Sequence, residues 1–390
     1  MAGIYIHIPF CRQACNYCNF HFSTSLRYKN ELLAALLKEM ELFPSVFPAE
    51  MKTGSGVETI YIGGGTPSLL EPSELMDILS TLRRVFAVQP GSEITLEANP
   101  DDITEDKLLA WQEAGINRLS IGVQSFFEED LKWMNRAHNA TQAVDGLSLA
   151  RKYFDNITMD LIYGTPGLTD IKWKANVDKA ISLGINHLSC YALTVEPSTP
   201  LQKLISQHKL EDVDPDTQSR QFLLLMDWLS QAGYEHYEIS NFARPGFRSR
   251  HNSSYWQGKS YFGFGPSAHS FNGTGRWWNI ANNNKYIASL AENVTPYEKE
   301  ILTPSQRFNE YLMISLRTME GTDMQRLAAN EWGLTEPALG KALGEIRKLS
   351  ADYAAQGKLT EKGDRIILSQ EGRLLADGIA ADFFMEDEPA

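Results

Sequence analysis

Cysteine is scarce in this chain, four in 390 residues, and nothing marks it as secreted, so a disulfide framework is not what holds it together. Long apolar runs are missing too: none approaches the roughly 18 to 20 residues that span a bilayer. The N-terminus passes from Met1-Ala2-Gly3 straight into an alternating strand with no basic region, so no targeting segment is expected and the cytoplasm is the default compartment. Positive charge is in deficit, with 36 Lys and Arg against 49 Asp and Glu for a net charge of −13. That balance argues against a polyanion-binding surface and against nucleic acid as a partner. Phe242 to Arg250 is the local exception, with Arg244, Arg248 and Arg250. Low-complexity segments and solenoid repeats are also lacking. What remains is an ordinary globular composition, 43% hydrophobic, long enough for one large or two modest domains.

Three of the few cysteines are crowded together. Cys11, Cys15 and Cys18 form C-x3-C-x2-C within the stretch from Tyr5 to Phe20, and cysteines packed so closely share one ligand. A cubane iron-sulfur cluster has four irons and normally takes four thiolates. Three thiolates leave its fourth iron open to something else. A Cys3His zinc site that recruits His21 is the competing reading, although structural zinc usually draws its cysteines from C-x2-4-C pairs well separated in sequence. Cys190 reads as a buried core thiol.

Periodicity predicts an amphipathic helix over Leu26 to Phe43, a polar gap from Pro44 to Gly56, and then a series of strand-loop-helix units. The strands are Val57 to Ile62, Glu93 to Ala98, Arg118 to Val123, Ile157 to Ile162 and His187 to Leu193, each followed by a helical stretch. With the opening strand they number six, joined by crossovers, so the fold class is α/β with a parallel sheet and the expected architecture a partial (β/α)6 barrel. Unusual residues collect where the strands end: Gly63 to Thr66, Glu97 to Pro100, Gln124-Ser125, Asp160 with Gly164 to Gly167, and Tyr191 to Pro197. In βα folds that rim forms the ligand site. The division expected is 1–235 for the barrel, 236–302 for an aromatic and glycine-rich connecting segment too irregular for another barrel unit, and 303–390 for a small helical or winged-helix-like domain with a hairpin near Leu359 to Leu368.

Several of these residues have ordinary structural explanations. Gly63-Gly64-Gly65 is by itself more often a tight turn than a ligand cradle. Glu97, at the end of an apolar strand, reads equally as a satisfied rim acid or as an acceptor for hydroxyls, and the same holds for Gln124, Arg136 and Asp160.

In combination the residues resemble the radical S-adenosylmethionine (SAM) family, whose signature is C-x3-C-x-aromatic-C and whose GGGTP loop follows the next strand. The resemblance runs from Tyr5 into the C-terminal domain. It implies a [4Fe-4S] cluster on Cys11, Cys15 and Cys18, with SAM chelating the fourth iron and open to reductive cleavage to a 5′-deoxyadenosyl radical. It further implies SAM contacts at Tyr5, Tyr17, Gly64, Gly65, Thr66, Glu97, Gln124, Arg136 and Asp160, with Arg136 pairing a carboxylate. The order of the motifs is similar to the subfamily around the oxygen-independent coproporphyrinogen oxidases. Those enzymes carry another cysteine two residues after the third, where this chain has Phe20, and a longer segment before the first strand.

The pattern is closer to the haem chaperones of that subfamily, in which H-N-x-x-Y-W appears later, here as His251, Asn252, Tyr255 and Trp256. Haem needs an aromatic slot and commonly an imidazole, which makes His251 the expected haem contact, His269 the second choice, and Arg248 and Arg250 candidates for the propionates; a histidine beside aromatics is also commonly a hydrogen-bonded structural residue. The function implied is binding of haem and its delivery to haem-requiring respiratory proteins, with any membrane contact made through the acceptor and a homodimer left open. Oxidative decarboxylation of porphyrinogen propionates, or radical methyl transfer, is the alternative on the same scaffold.

Overall fold

The computed structural model describes residues 3–51 and 56–386 of the chain. Met1, Ala2 and part of the gap expected at 44–56 therefore lie outside the described residues. Six parallel strands run in sequence order through the sheet: β1 (Gly3–Ile8), β2 (Val57–Gly64), β3 (Val88–Ala98), β4 (Arg118–Gln124), β5 (Ile157–Tyr163) and β6 (His187–Ala192). Their outward residues, among them Ile60, Leu96, Ile121, Met159 and Leu188, are sealed against the surrounding helices, and Cys190 is buried with them. Most helices start where a polar side chain satisfies their first N–H groups, as Thr104, Asn139, Thr169 and Asp214 do.

The inward face of the barrel is polar. Period-2 alternation places Thr59 and Tyr61 of β2, Glu93, Thr95 and Glu97 of β3, Arg118 and Ser120 of β4, Thr158 and Asp160 of β5, and His187 and Ser189 of β6 on the face opposite the apolar set. A barrel filled for stability alone would carry branched aliphatics there. Polar side chains instead make an interior that can receive a polar ligand.

Two features differ from expectation. The first helix, Lys29–Val46, runs on through Pro44 and is followed by a short helix, Pro48–Met51, where a gap was expected. Phe43 and Phe47 pack on Phe262 and Trp277 with ring centroids 4.8 Å apart in each pair, which holds a last turn that proline would otherwise end. The segment 236–302 also contributes to the same sheet on both edges. Here β8 (Asn241–Ala243) pairs antiparallel with β6 and β7 (Glu235–Glu238) pairs antiparallel with β8 at the edge, while β9 (Tyr261–Phe264) pairs parallel with β1 and leads to β10 (His269–Phe271), β11 (Gly275–Asn279) and β12 (Tyr297–Ile301). The C-terminal residues form their own core around Phe308, Leu312, Ile346 and Ile379, with a three-stranded sheet made of Thr322–Asp323, Leu359–Lys362 and Arg365–Leu368.

Candidate functional site

The cysteine loop leaves β1 at the carboxyl rim and is fastened there on two sides. Arg12 reaches the buried carboxylate of Asp102 at 2.5 Å, beyond the end of β3. On the other side the Asn16 amide donates to the carbonyl of Trp133 at 2.7 Å, and Asn135 donates to the carbonyl of Ala14 at 2.7 Å. Asn135 holds a left-handed backbone, φ 57°, which turns the chain so that Arg136 follows directly into the cavity wall. The three thiols are free and half-buried. Cys11 lies beside the Thr66 hydroxyl, and burial pushes its pKa up to about 11. Cys15 accepts from Arg136 Nη1 at 3.4 Å. His21, the fourth ligand of a zinc site, instead has its Nε2 against Asn283 Oδ1 at 2.7 Å.

Beneath the cysteines lies a cavity of about 440 Å³ that penetrates the barrel interior. Cys11, Cys15, Tyr17 and Cys18 line its mouth, with Gly64, Gly65 and Thr66 on one wall, Gln124 and Arg136 on the other, and Glu97 and Asp160 farther in. Gly64 sits at φ 108°, and a side chain at Gly65 would put its Cβ 2.5 Å from the carbonyl oxygen of Phe10. The glycines are thus required by the close passage of β1 as well as by any ligand. Gln124 is a non-glycine residue at φ 70°, at a register shift between β4 and β5. Such a bulge re-aims a side chain, here toward the cavity.

Two carboxyls sit in this interior without a cation at hydrogen-bond distance. Glu97 accepts from the Tyr61 hydroxyl at 2.7 Å and from the Gly64 N–H at 3.0 Å, yet burial raises its pKa to about 7. Burial likewise lifts Asp160 to about 6, against a hydrogen bond from Ser189 and the more distant charges of Arg118 and Arg136. Arg136 donates through Nη2 to Asn99 Oδ1 and to the carbonyl of Gly122, each at 2.8 Å, and its buried Nε has no partner.

These residues fit the groups that the sequence implies. A free carboxylate would meet the unpartnered Arg136 Nε. Cationic sulfonium and amino groups would face two carboxyls that gain from a positive charge. Three unpaired thiols at the mouth could hold a cluster, whose chemistry when bound is one-electron reduction of the nucleotide.

Tyr5 and His251 stand apart from the cavity wall. Tyr5 is next to it, stacked on Tyr61 with its hydroxyl 3.1 Å from His7 Nδ1. His251 is buried in helix Arg250–Trp256, which closes the opposite end of the barrel. The carboxylate of Glu93 accepts from the backbone N–H groups of Arg250 and His251 at 3.1 and 2.9 Å and so fixes that helix. The imidazole has Nδ1 against Thr59 Oγ1 and Nε2 against the Tyr255 hydroxyl, both at 2.8 Å. With both nitrogens engaged and the ring shielded, this geometry speaks against His251 as a haem contact. Arg248 is held by Glu235 and Glu320, and Arg250 donates to the carbonyl of Gly91.

Sequence reasoning missed several cavity residues: Tyr61, Asn99, Arg118, Ser189, Tyr191 and Asn252. Tyr61, Ser189 and Tyr191 share the inward alternation of Glu97 and Asp160, so the strand period was a signal for them. Asn252 was singled out only as part of H-N-x-x-Y-W, because its place at this cavity depends on how the plugging helix meets the barrel.

The Radical SAM superfamily model matches residues 5–211, and the model of the HemN C-terminal domain matches residues 302–375. Proteins named heme chaperone HemW resemble the chain from end to end. The one from Mycobacterium tuberculosis is 35% identical over 97% of this chain and 93% of its own length, and the one from Bacillus subtilis is 33% identical over 99% and 100%. Among solved structures, coproporphyrinogen III oxidase (HemN) from Escherichia coli superposes with a TM-score of 0.83 at 25% identity, over 98% of this chain and 90% of that one. Three cysteines gathered over a polar partial barrel and relatives that match it end to end lead to one conclusion: this chain belongs to the radical SAM superfamily, among relatives that carry the HemN-type C-terminal domain.

Proposed function

We propose that this protein is a haem chaperone built on a radical SAM scaffold: it holds a [4Fe-4S] cluster through Cys11, Cys15 and Cys18, binds SAM in the barrel cavity, and carries haem to haem-requiring respiratory proteins. The observation that carries this reading is the near full-length similarity to relatives named heme chaperone, at 33 to 35% identity. A local feature agrees with it. Phe20, two residues past the third cysteine, is 67% exposed and lies at the cavity mouth, where a decarboxylase of the subfamily would carry another thiol. Within the cavity, Tyr17, Gly64, Gly65, Thr66, Glu97, Gln124, Arg136 and Asp160 are the SAM contacts on this reading, with Tyr5 supporting them through Tyr61. Peripheral membrane contact through the acceptor and self-association belong to the same reading. Among the described residues no helix is long and apolar enough to cross a membrane.

The likeness to coproporphyrinogen III oxidase favours a second reading, oxidative decarboxylation of porphyrinogen propionates. One anaerobically reconstituted preparation separates the two. Haem should produce a Soret shift that saturates near one equivalent, while coproporphyrinogen with SAM and a reductant yields no decarboxylated product. Product at enzymatic rates, without haem binding, would overturn the chaperone reading.

A further inference from the structure

If haem is the cargo it needs a seat, and neither feature suggested by the motifs supplies one. The barrel cavity contains the cysteines and the groups suited to SAM, and His251 has both ring nitrogens engaged. A second cavity, of about 470 Å³, lies on the other side of helix Arg250–Trp256, between strands β9, β10 and β11 and the helix Pro304–Leu316 of the C-terminal domain. That is within the size range of small-molecule sites, which favour domain junctions.

The lining suits a flat, apolar ring that carries negative charge at its edge. Trp256, Tyr261 and Phe271 line it with aromatic surface, the Trp256 ring carrying the Arg317 guanidinium at 5.2 Å, and Trp332 borders it from the C-terminal core. Lys259, Arg276 and Arg326 pair with Glu58, Glu310 and Glu331, which leaves Arg307 as the lining cation without a carboxylate partner among the described residues. Two polar groups here lack partners. Trp256 Nε1 and Arg307 Nε are buried with no hydrogen bond, although Arg307 Nη2 donates to the carbonyl of Trp332. Buried donors without acceptors are costly unless a ligand or water completes them. Arg276 is already oriented at the cavity by Glu310, 2.5 Å away. Trp256 also borders an adjoining cavity of about 300 Å³, where Arg248 and Arg365 pair with Glu320 and Asp323.

We infer that this cleft between the barrel edge and the C-terminal domain is the haem seat, with Trp256 and Trp332 against the macrocycle and Arg276 and Arg307 facing the propionates. The inference rests on the haem-chaperone reading, which supplies the ligand. The tryptophan of the H-N-x-x-Y-W motif would then meet the cargo, while its histidine braces the helix that presents it.

The test is a haem titration of the full-length, cluster-reconstituted protein followed at the Soret band, with and without saturating SAM. Two variants act on the cleft alone: Ile314→Trp, which fills it from helix Pro304–Leu316, and Arg276→Gln, which removes a propionate partner. Each should weaken haem binding at least tenfold while iron content and SAM affinity stay at wild-type values, and SAM should not displace haem from the wild-type protein. Haem dimethyl ester, whose propionates are blocked, should bind the wild type more weakly than haem and lose less on Arg276→Gln. Wild-type affinity in folded variants, or displacement of haem by SAM, would overturn the assignment and leave the chaperone reading standing. A wild-type protein that takes up no haem would overturn both.

Discussion

At the scale of single residues, the barrel cavity contains acids that are only partly ionised near neutrality. Glu97, lifted to about 7 by burial, must lose its proton before it can pair with a cationic ligand, and Asp160, lifted to about 6, must do so at lower pH. If both contact the sulfonium or amino group of SAM, affinity should rise with pH between about 5.5 and 7, by at most about tenfold per unit for each carboxyl. Equilibrium dialysis with SAM across that range checks this, and a flat profile would remove both residues from the contact. His251 gives a different expectation. Truncating a buried ring that bonds the Tyr255 hydroxyl leaves a cavity and takes away that partner, so His251→Ala should cost about 2–4 kcal/mol of stability. Because the ring is not positioned as an iron ligand, the Soret maximum of the haem-loaded variant should stay where it is in the wild type. A displaced maximum would return the histidine to the iron.

At the scale of elements, the clearest consequence concerns the turn after β2. The Gly65 N–H donates to the carbonyl of Ile8 at 2.8 Å, and the Thr66 N–H to that of Phe10 at 2.6 Å, so the glycine turn grips the chain just before Cys11. An added Cβ at Gly65 would collide with the Phe10 carbonyl. Gly65→Ala should therefore lower the iron retained after reconstitution, read by metal analysis, because it displaces the strand exit that carries a cluster ligand. Unchanged iron would show that the loop can yield. Much at this scale was legible in the sequence: the six barrel strands are rich in β-branched and aliphatic residues and lie within a few positions of where their periodicity puts them. The bulge at Gln124 was not, since a left-handed non-glycine backbone leaves no compositional trace. Nor was the way 236–302 extends the sheet. Its strands are three to five residues long, and β9 finds its partner in β1, more than 250 positions earlier, where a local pattern carries no information. The place of His251 was not legible for the same reason: a histidine among aromatics looks alike at either end of a barrel, and only the contact with Glu93 and Thr59 fixes which end it occupies.

At the scale of the whole molecule, the polar interior and the buried histidines set opposing dependences of stability on pH. Burial depresses His7 and His138 to about 4 and His236 and His251 to about 3, and it lowers His187 well below its ordinary value. Between about pH 4.5 and 6.5 these five rings stay neutral in the folded chain and become protonated in the unfolded one, so they make stability rise with pH. Glu39, which burial lifts to about 7 despite its hydrogen bonds to Tyr286, Gly265 and Asn279, acts with Glu97 and Asp160 in the other direction. Those carboxyls hold protons in the folded chain that the unfolded chain has released, and they make stability fall as pH rises from about 4 to 7. Burial also lowers His269 and raises Asp101, Asp130 and Glu238, so the two sets of side chains oppose each other through the middle of the range. The histidine contribution fades only as the unfolded-state rings lose their protons through about pH 7.5, the range in which Glu39 and Glu97 also finish titrating. Urea unfolding of the cluster-free chain between about pH 4.5 and 6.5, the acid limb, measures the net of the two. Replacing His187, whose two nitrogens face Thr158 and Tyr237, with Asn should flatten the acid limb by about one proton. A variant limb as steep as the wild type's would mean that His187 is not held neutral by the fold.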